Sequence, residues 1–184
     1  MKNIKSLLYL SIGFLTITSC SDDDPAPEPI NEEEIITTFT ATLVPQGGGT
    51  TITLQTRDLD GDGPNPPVVT VSDDLMPNSI YDGTIVLLNE TETPAENITD
   101  EVEAEDEEHQ FFYTVGGGLN ANVEYANFDG NGNPLGTAFT LTTTASSSGT
   151  LAFTLRHEPT KPNSGLADAG GETDLAVTFS VTIQ

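Results

Sequence analysis

Basic residues are what this chain has least of: five lysines and arginines stand against 29 aspartates and glutamates, a formal net charge of −24 at pH 7. Such a field repels phosphate backbones and anionic headgroups, which argues against nucleic-acid or electrostatic membrane binding and makes cations the natural small partners. The same charge also keeps an exposed protein soluble. Tryptophan is absent and aromatics are 7% of the residues, which leaves little with which to stack sugars. There is one cysteine, Cys20, so no disulfide can close within the chain and the core has to hold without a covalent staple. Catalytic signatures are missing as well: no G-x-S-x-G elbow, no H-E-x-x-H and no phosphate-cradling glycine loop. Pairing two of 29 acids for glycoside hydrolysis would discriminate nothing, so no enzymatic activity is expected.

The apolar run at the start is short. Lys2 and Lys5 precede residues 7–17, too few to span a bilayer, and the run ends in Ile17, Thr18, Ser19, Cys20. Residues 1–19 therefore read as a secretory signal cleaved before Cys20. Both lysines leave with it, so Arg57, Arg156 and Lys161 remain to face every acid of the mature chain. Residues 20–34 open with Ser21, Asp22, Asp23 and Asp24 behind the cysteine and continue rich in Pro and Glu, a solvated tether with little to bury. Residues 35–184 suffice for one hydrophobic core, and a single domain is expected.

Within that domain apolar residues alternate with threonine. Phe39, Ala41 and Leu43 are interleaved with Thr38, Thr40 and Thr42, and Ile52 and Leu54 with Thr51, Thr53 and Gln55. Further strands are expected at 68–71, 84–88, 111–115, 121–125, 138–142, 151–157 and 174–183, about nine in all. Turn clusters at 46–49, 61–67, 116–118, 129–134 and 146–149 separate them. The pattern predicts an all-β fold, an Ig-like antiparallel β-sandwich with Greek-key connections. Residues 85–88 have no polar face and predict a central strand covered on both sides. Residues 97–108 break the alternation. They are acidic, with Ile98 and Val102 at helical spacing and Asn97 or Thr99 available as N-cap, and predict either a short helix or a solvated acidic insertion. Glu107 and Glu108 at its end oppose the helix dipole, so a helix there is frayed or neutralised by something cationic.

Two kinds of cation site are written in the sequence. Asp58, Asp60, Asp62 and Gly63 form a D-x-D-x-D-G run, the opening half of a calcium loop. The twelfth position is Val69, which excludes an EF-hand proper and would require Asp73 or Asp74 to complete the shell. Asp129, Asn131 and Asn133 repeat the spacing more weakly, and ordinary Asx-turn chemistry accounts for either run equally well. The second kind is imidazole with carboxylate, suited to zinc or copper. His109 follows Glu107 and Glu108, with Glu105 four residues before it on the same helical face, and His157 follows Leu151, Phe153 and Leu155 at the end of an inward strand face. Both histidines are thus expected at one end of the sandwich, as metal ligands or as caps on the core edge.

Ile17 to Cys20 resembles the lipobox of bacterial lipoproteins, which implies that Cys20 is acylated and becomes the mature N-terminus. The aspartates behind it resemble the acidic export signal of Bacteroidota lipoproteins, which implies an outer-membrane anchor with the domain facing the cell surface. Further along, the order of Arg57 to Gly63, Ile85 to Glu90, the acidic run into His109, Leu155 to Pro159 and Gly170 to Val181 resembles a group of small flavobacterial lipoproteins. Members of that group are often labelled type 1 periplasmic-binding folds, which implies two α/β lobes, whereas the residues read as one antiparallel β domain. Two functions are compatible with this sequence. One is a binding module capturing metal ions for an outer-membrane transporter, and the other is a structural or adhesive surface protein stiffened by a calcium loop.

Overall fold

The computed structural model describes residues 34–184 except Asp62; the signal, Cys20 and the tether up to residue 33 lie outside the described residues. The elements are β1 (Thr38–Pro45), β2 (Ile52–Arg57), β3 (Val68–Val71), β4 (Ile80–Asn89), β5 (Glu96–Asn97), α1 (Ile98–Ala104), β6 (His109–Gly116), β7 (Ala121–Tyr125), β8 (Ala138–Thr143), β9 (Ser147–His157) and β10 (Glu172–Ile183). They form an all-β sandwich: a seven-stranded sheet in the order β3-β2-β1-β4-β8-β7, with β5 added beside β4, and a three-stranded sheet in the order β10-β9-β6. Every pairing between named strands is antiparallel. The run β3-β2-β1-β4 is a Greek key, in which three hairpin-linked strands are followed by a fourth that returns beside the first. The two α/β lobes implied by the periplasmic-binding label are not what these residues build.

The alternation explains the layers. Phe39, Ala41 and Leu43 of β1 bury one face while Thr40 and Thr42 stay partly exposed on the other. Rings from both sheets meet at Phe153, whose centroid lies 4.9 Å from Phe39, 5.8 Å from Tyr113, 5.8 Å from Phe139 and 6.0 Å from Phe179. Each such contact adds about 0.5–1.5 kcal/mol beyond the area it buries, which helps a core that has no disulfide. Gly83 stands opposite Phe139 in the ladder, and a Cβ there would lie 2.4 Å from the Phe139 ring, so the aromatic covers the gap that glycine leaves.

Three expectations need correction. β4 is central in hydrogen bonding but covered on one face only: Val86 is 40% exposed, because no layer among the described residues lies over the outer side of that sheet. β9 begins at Ser147 rather than Leu151, because the twelve-residue β10 offers its backbone to Ser147, Ser148 and Gly149, residues that carry no apolar signal. The helix is seven residues long and stops at Ala104. Asn97 holds the N-cap position, but its side-chain amide donates to Asp100 at 2.8 Å, and the Thr99 hydroxyl accepts from the Leu87 amide at 2.7 Å, stitching α1 to β4. Glu108 N–H then donates to the Glu105 carbonyl at 2.9 Å, a turn that unwinds the chain and makes His109 the first residue of β6 rather than the last of a helix.

Candidate metal centre

The register of the smaller sheet sets the site. β6 and β9 pair so that His109 stands directly opposite His157, each the last inward residue at the rim after Phe111 on one strand and Leu155 on the other. Both are buried, and their rings stack with centroids 4.6 Å apart and planes 23° from parallel. On the far side of β9, Glu172 pairs with His157 and Thr173 with Arg156, but Leu175 pairs with Leu155, so Asp174 is an extra residue in a β-bulge. In a regular ladder counted back from Leu175, Asp174 would stand opposite Arg156 on the outer face. The bulge instead turns its carboxylate toward the two imidazoles. Gly171 lets β10 start there: its φ is +70°, and a Cβ on it would lie 2.2 Å from the His157 carbonyl oxygen.

His109 is oriented from behind. Its Nδ1 lies 3.2 Å from the Glu105 carbonyl oxygen, to which it donates. That bond fixes the tautomer, so in the neutral ring Nε2 carries a lone pair. Nε2 faces a second lone-pair donor, Glu34 Oε1, at 3.2 Å. The contact is close in distance but off the line of a hydrogen bond, and Nε2 has no hydrogen-bond partner among the described residues. Two acceptors pressed together in a buried setting call for a positive centre, either a proton on the imidazole or a cation bound between them. Burial alone would lower the pKa of His109, but the Glu34 carboxylate and the Glu105 carbonyl outweigh it and hold the pKa above the ordinary value.

The surrounding acids carry the same tension. Burial raises the pKa of Asp174 to about 6, opposed by the two imidazoles and reinforced by Glu34 and Glu172. Burial also raises Glu101, helped by Glu34, Glu105 and Glu96. Glu34 Oε2 and Asp174 Oδ2 are buried and have no hydrogen-bond partner among the described residues. Donor atoms converge in three overlapping sets: His109, His157 and Asp174; Glu34, Glu105 and His109; and Glu108, His157 and Glu158, each within 4.8 Å of one another. A tetrahedral zinc ion with ligand bonds of about 2.1 Å holds its donors roughly 3.4 Å apart, a span that small side-chain rotations would reach.

Of the predicted ligands, the structure thus brings His157 and Glu105 each beside His109, in separate donor sets. In the aspartate run, Asp58 and Asp60 are both held in turn hydrogen bonds. Asp58 accepts from the Asp60 amide at 3.3 Å, and Asp60 accepts from the Asn65 side chain at 2.7 Å and its amide at 3.3 Å. The Asn65 side chain foremost holds the Asp60 carboxyl below its usual pKa range, so this is Asx-turn chemistry. Asp62 lies outside the described residues. Asp73 and Asp74 cannot complete a shell, because Ser72 pairs with Thr53 at the opposite end of the β2–β3 hairpin from Asp58. The weaker repeat contains a side-chain cation of its own. Asp129 is buried and accepts from the amides of Asn131 at 2.9 Å and Asn133 at 2.8 Å and from Lys161 Nζ at 3.2 Å. Lys161 also donates to the carbonyls of Asp106 and His109, 2.6 Å each, and so supplies the positive charge behind the acidic turn that follows α1.

The sequence reading missed Glu34, Asp174 and Lys161. Glu34 was indistinguishable from the other acids of the tether, and Asp174 reaches the site only through a bulge that depends on its pairing with β9. Among the described residues no helix is long and apolar enough to cross a membrane. Comparison with protein-family models, curated proteins and solved structures finds no match, which leaves the geometry of this rim as the guide to function.

Proposed function

We propose that this protein is a lipid-anchored surface lipoprotein whose β-sandwich captures a transition metal, zinc or copper, at the rim formed by His109, His157 and Asp174, and presents it to an outer-membrane transporter. The observation that carries this reading is the buried His109 ring, held from Nδ1 by a carbonyl so that Nε2 faces a carboxylate with no hydrogen bond between them. A carbonyl-oriented imidazole with its other nitrogen turned to anionic donors is the arrangement that metal-binding histidines adopt. Two imidazoles and carboxylate oxygens suit zinc or copper(II) better than calcium, which prefers an all-oxygen shell. The acidic field of the domain would concentrate cations around it, and acylation of Cys20 would hold it at the membrane.

The test is calorimetric titration of the chelator-treated protein with zinc, copper and calcium. One equivalent of zinc or copper binding below micromolar Kd, abolished in the His109→Ala/His157→Ala double variant, is the expected result. Unchanged binding in that variant, or binding of calcium alone, would overturn the assignment.

A further inference from the structure

Glu34 is in an unexpected place for a residue of the segment leading into the domain. Its side chain is 7% exposed and reaches His109, whereas its neighbour Ile35 is 61% exposed. Ile36 turns back against the core, and Thr37 bonds the Leu88 carbonyl through both its amide and its hydroxyl, each at 3.0 Å. The chain therefore enters in extended form with an acid turned inward and an isoleucine turned out. Solvation alone would favour the reverse, because a buried carboxylate is costly unless it is paired. No lysine or arginine pairs with it: among the described residues the ion pairs formed by those side chains are Arg57 with Glu90 and Lys161 with Asp129.

We propose that Glu34 is a metal ligand contributed by the approach segment, so that a divalent ion bound at the histidine rim latches residues 34–37 onto the domain. This rests on the metal reading of His109 and His157. The ion would bond Glu34 and His109 together and offset the repulsion of Glu34 by Glu101, Glu105 and Asp174. Without it those carboxylates push the base of the tether away. The site would then report its occupancy at the one place where the domain joins its anchor.

The experiment is hydrogen exchange of the amides of residues 35–37, with and without zinc, combined with zinc titration, in the wild-type protein, Glu34→Gln and Glu101→Gln. Glu101 lies in the same acidic neighbourhood but outside the donor sets. The expected result is that zinc slows exchange at Thr37 at least tenfold in the wild type and in Glu101→Gln but not in Glu34→Gln. Glu34→Gln should also bind zinc 10- to 100-fold more weakly, and Glu101→Gln within threefold of wild type. Equal affinity and equal protection in Glu34→Gln would overturn the latch and leave the histidine site standing. Equal losses in both variants would show a general charge effect and also overturn it. A wild-type protein that binds neither zinc nor copper would overturn the latch together with the metal site beneath it.

Discussion

Two groups of buried carboxylates lie close to the start of β6, and the fold settles them differently. Asp129 receives an ammonium from its own chain, and Lys161 meets two backbone carbonyls and that carboxylate in one place. Glu34 and Asp174 receive only imidazoles, and each keeps one buried oxygen without a hydrogen-bond partner among the described residues. Residues 20–184 hold just three lysines and arginines, so where they go is informative: Lys161 closes the Asp129 loop and Arg57 grips Glu90. A carboxylate that the chain neutralises itself is part of the scaffold. One left beside imidazoles alone, with a buried oxygen unpartnered among the described residues, is the place where the proposed cation would bind.

The contrast breaks most visibly at Lys161. Lys161→Met leaves Asp129 buried and unpaired and should cost about 3–5 kcal/mol of stability. For a chain of this size that is a fall in Tm of roughly 6–20 °C in thermal denaturation, which zinc should not repair. Next comes the histidine pair. Zinc at 100 times its Kd should stabilise the wild type by about 2.7 kcal/mol, and the His109→Ala/His157→Ala variant should show no zinc-dependent shift in Tm. A smaller effect belongs to pH. The folded-state pKa of Asp174 is raised to about 6, so its contribution to metal-free stability is fully present below the unfolded value and is lost as pH rises through about 6. His109, also raised, acts in the same direction at higher pH. Denaturant melts of the metal-free protein should therefore weaken between pH 4 and about 7, and Asp174→Asn should flatten the lower part of that slope. Zinc affinity should rise over the same window, because the ion competes with those protons. The smallest effect is expected at the aspartate loop, where Asp60→Asn should change stability by about 0.5 kcal/mol or less, with no calcium-dependent Tm shift in either protein.

What the sequence made legible follows from the range over which each signal acts. Alternating threonine and apolar side chains is a local pattern, and the strands from β1 to β10 that carry it could be placed without knowing their partners. The two-residue β5 and the first residues of β9 carry no such pattern and exist because β4 and β10 offer backbone to pair with. His109 and His157 could be placed at one rim because each ends an inward-facing series. That they stack is a matter of register between two strands, pairing residues 48 positions apart in the chain. The aspartate spacing at Asp58 was legible as a turn but did not by itself single out a site, since the same alternation of aspartates serves Asx bonding and calcium alike. Lys161 left no trace, because a long side chain from a loop reports nothing about which carbonyls it will reach.

The bulge at Asp174 gives this sheet an unusual vulnerability. Deleting Thr173 would produce a more regular ladder, with β10 and β9 paired without interruption, and by backbone criteria alone the domain would look improved. The same deletion would carry the carboxylate to the outer face beside Arg156 and take it away from both imidazoles. Here a regular ladder and the cluster of His109, His157 and Asp174 pull in opposite directions, and a change that perfects the strand would disperse the donors that the proposed site needs.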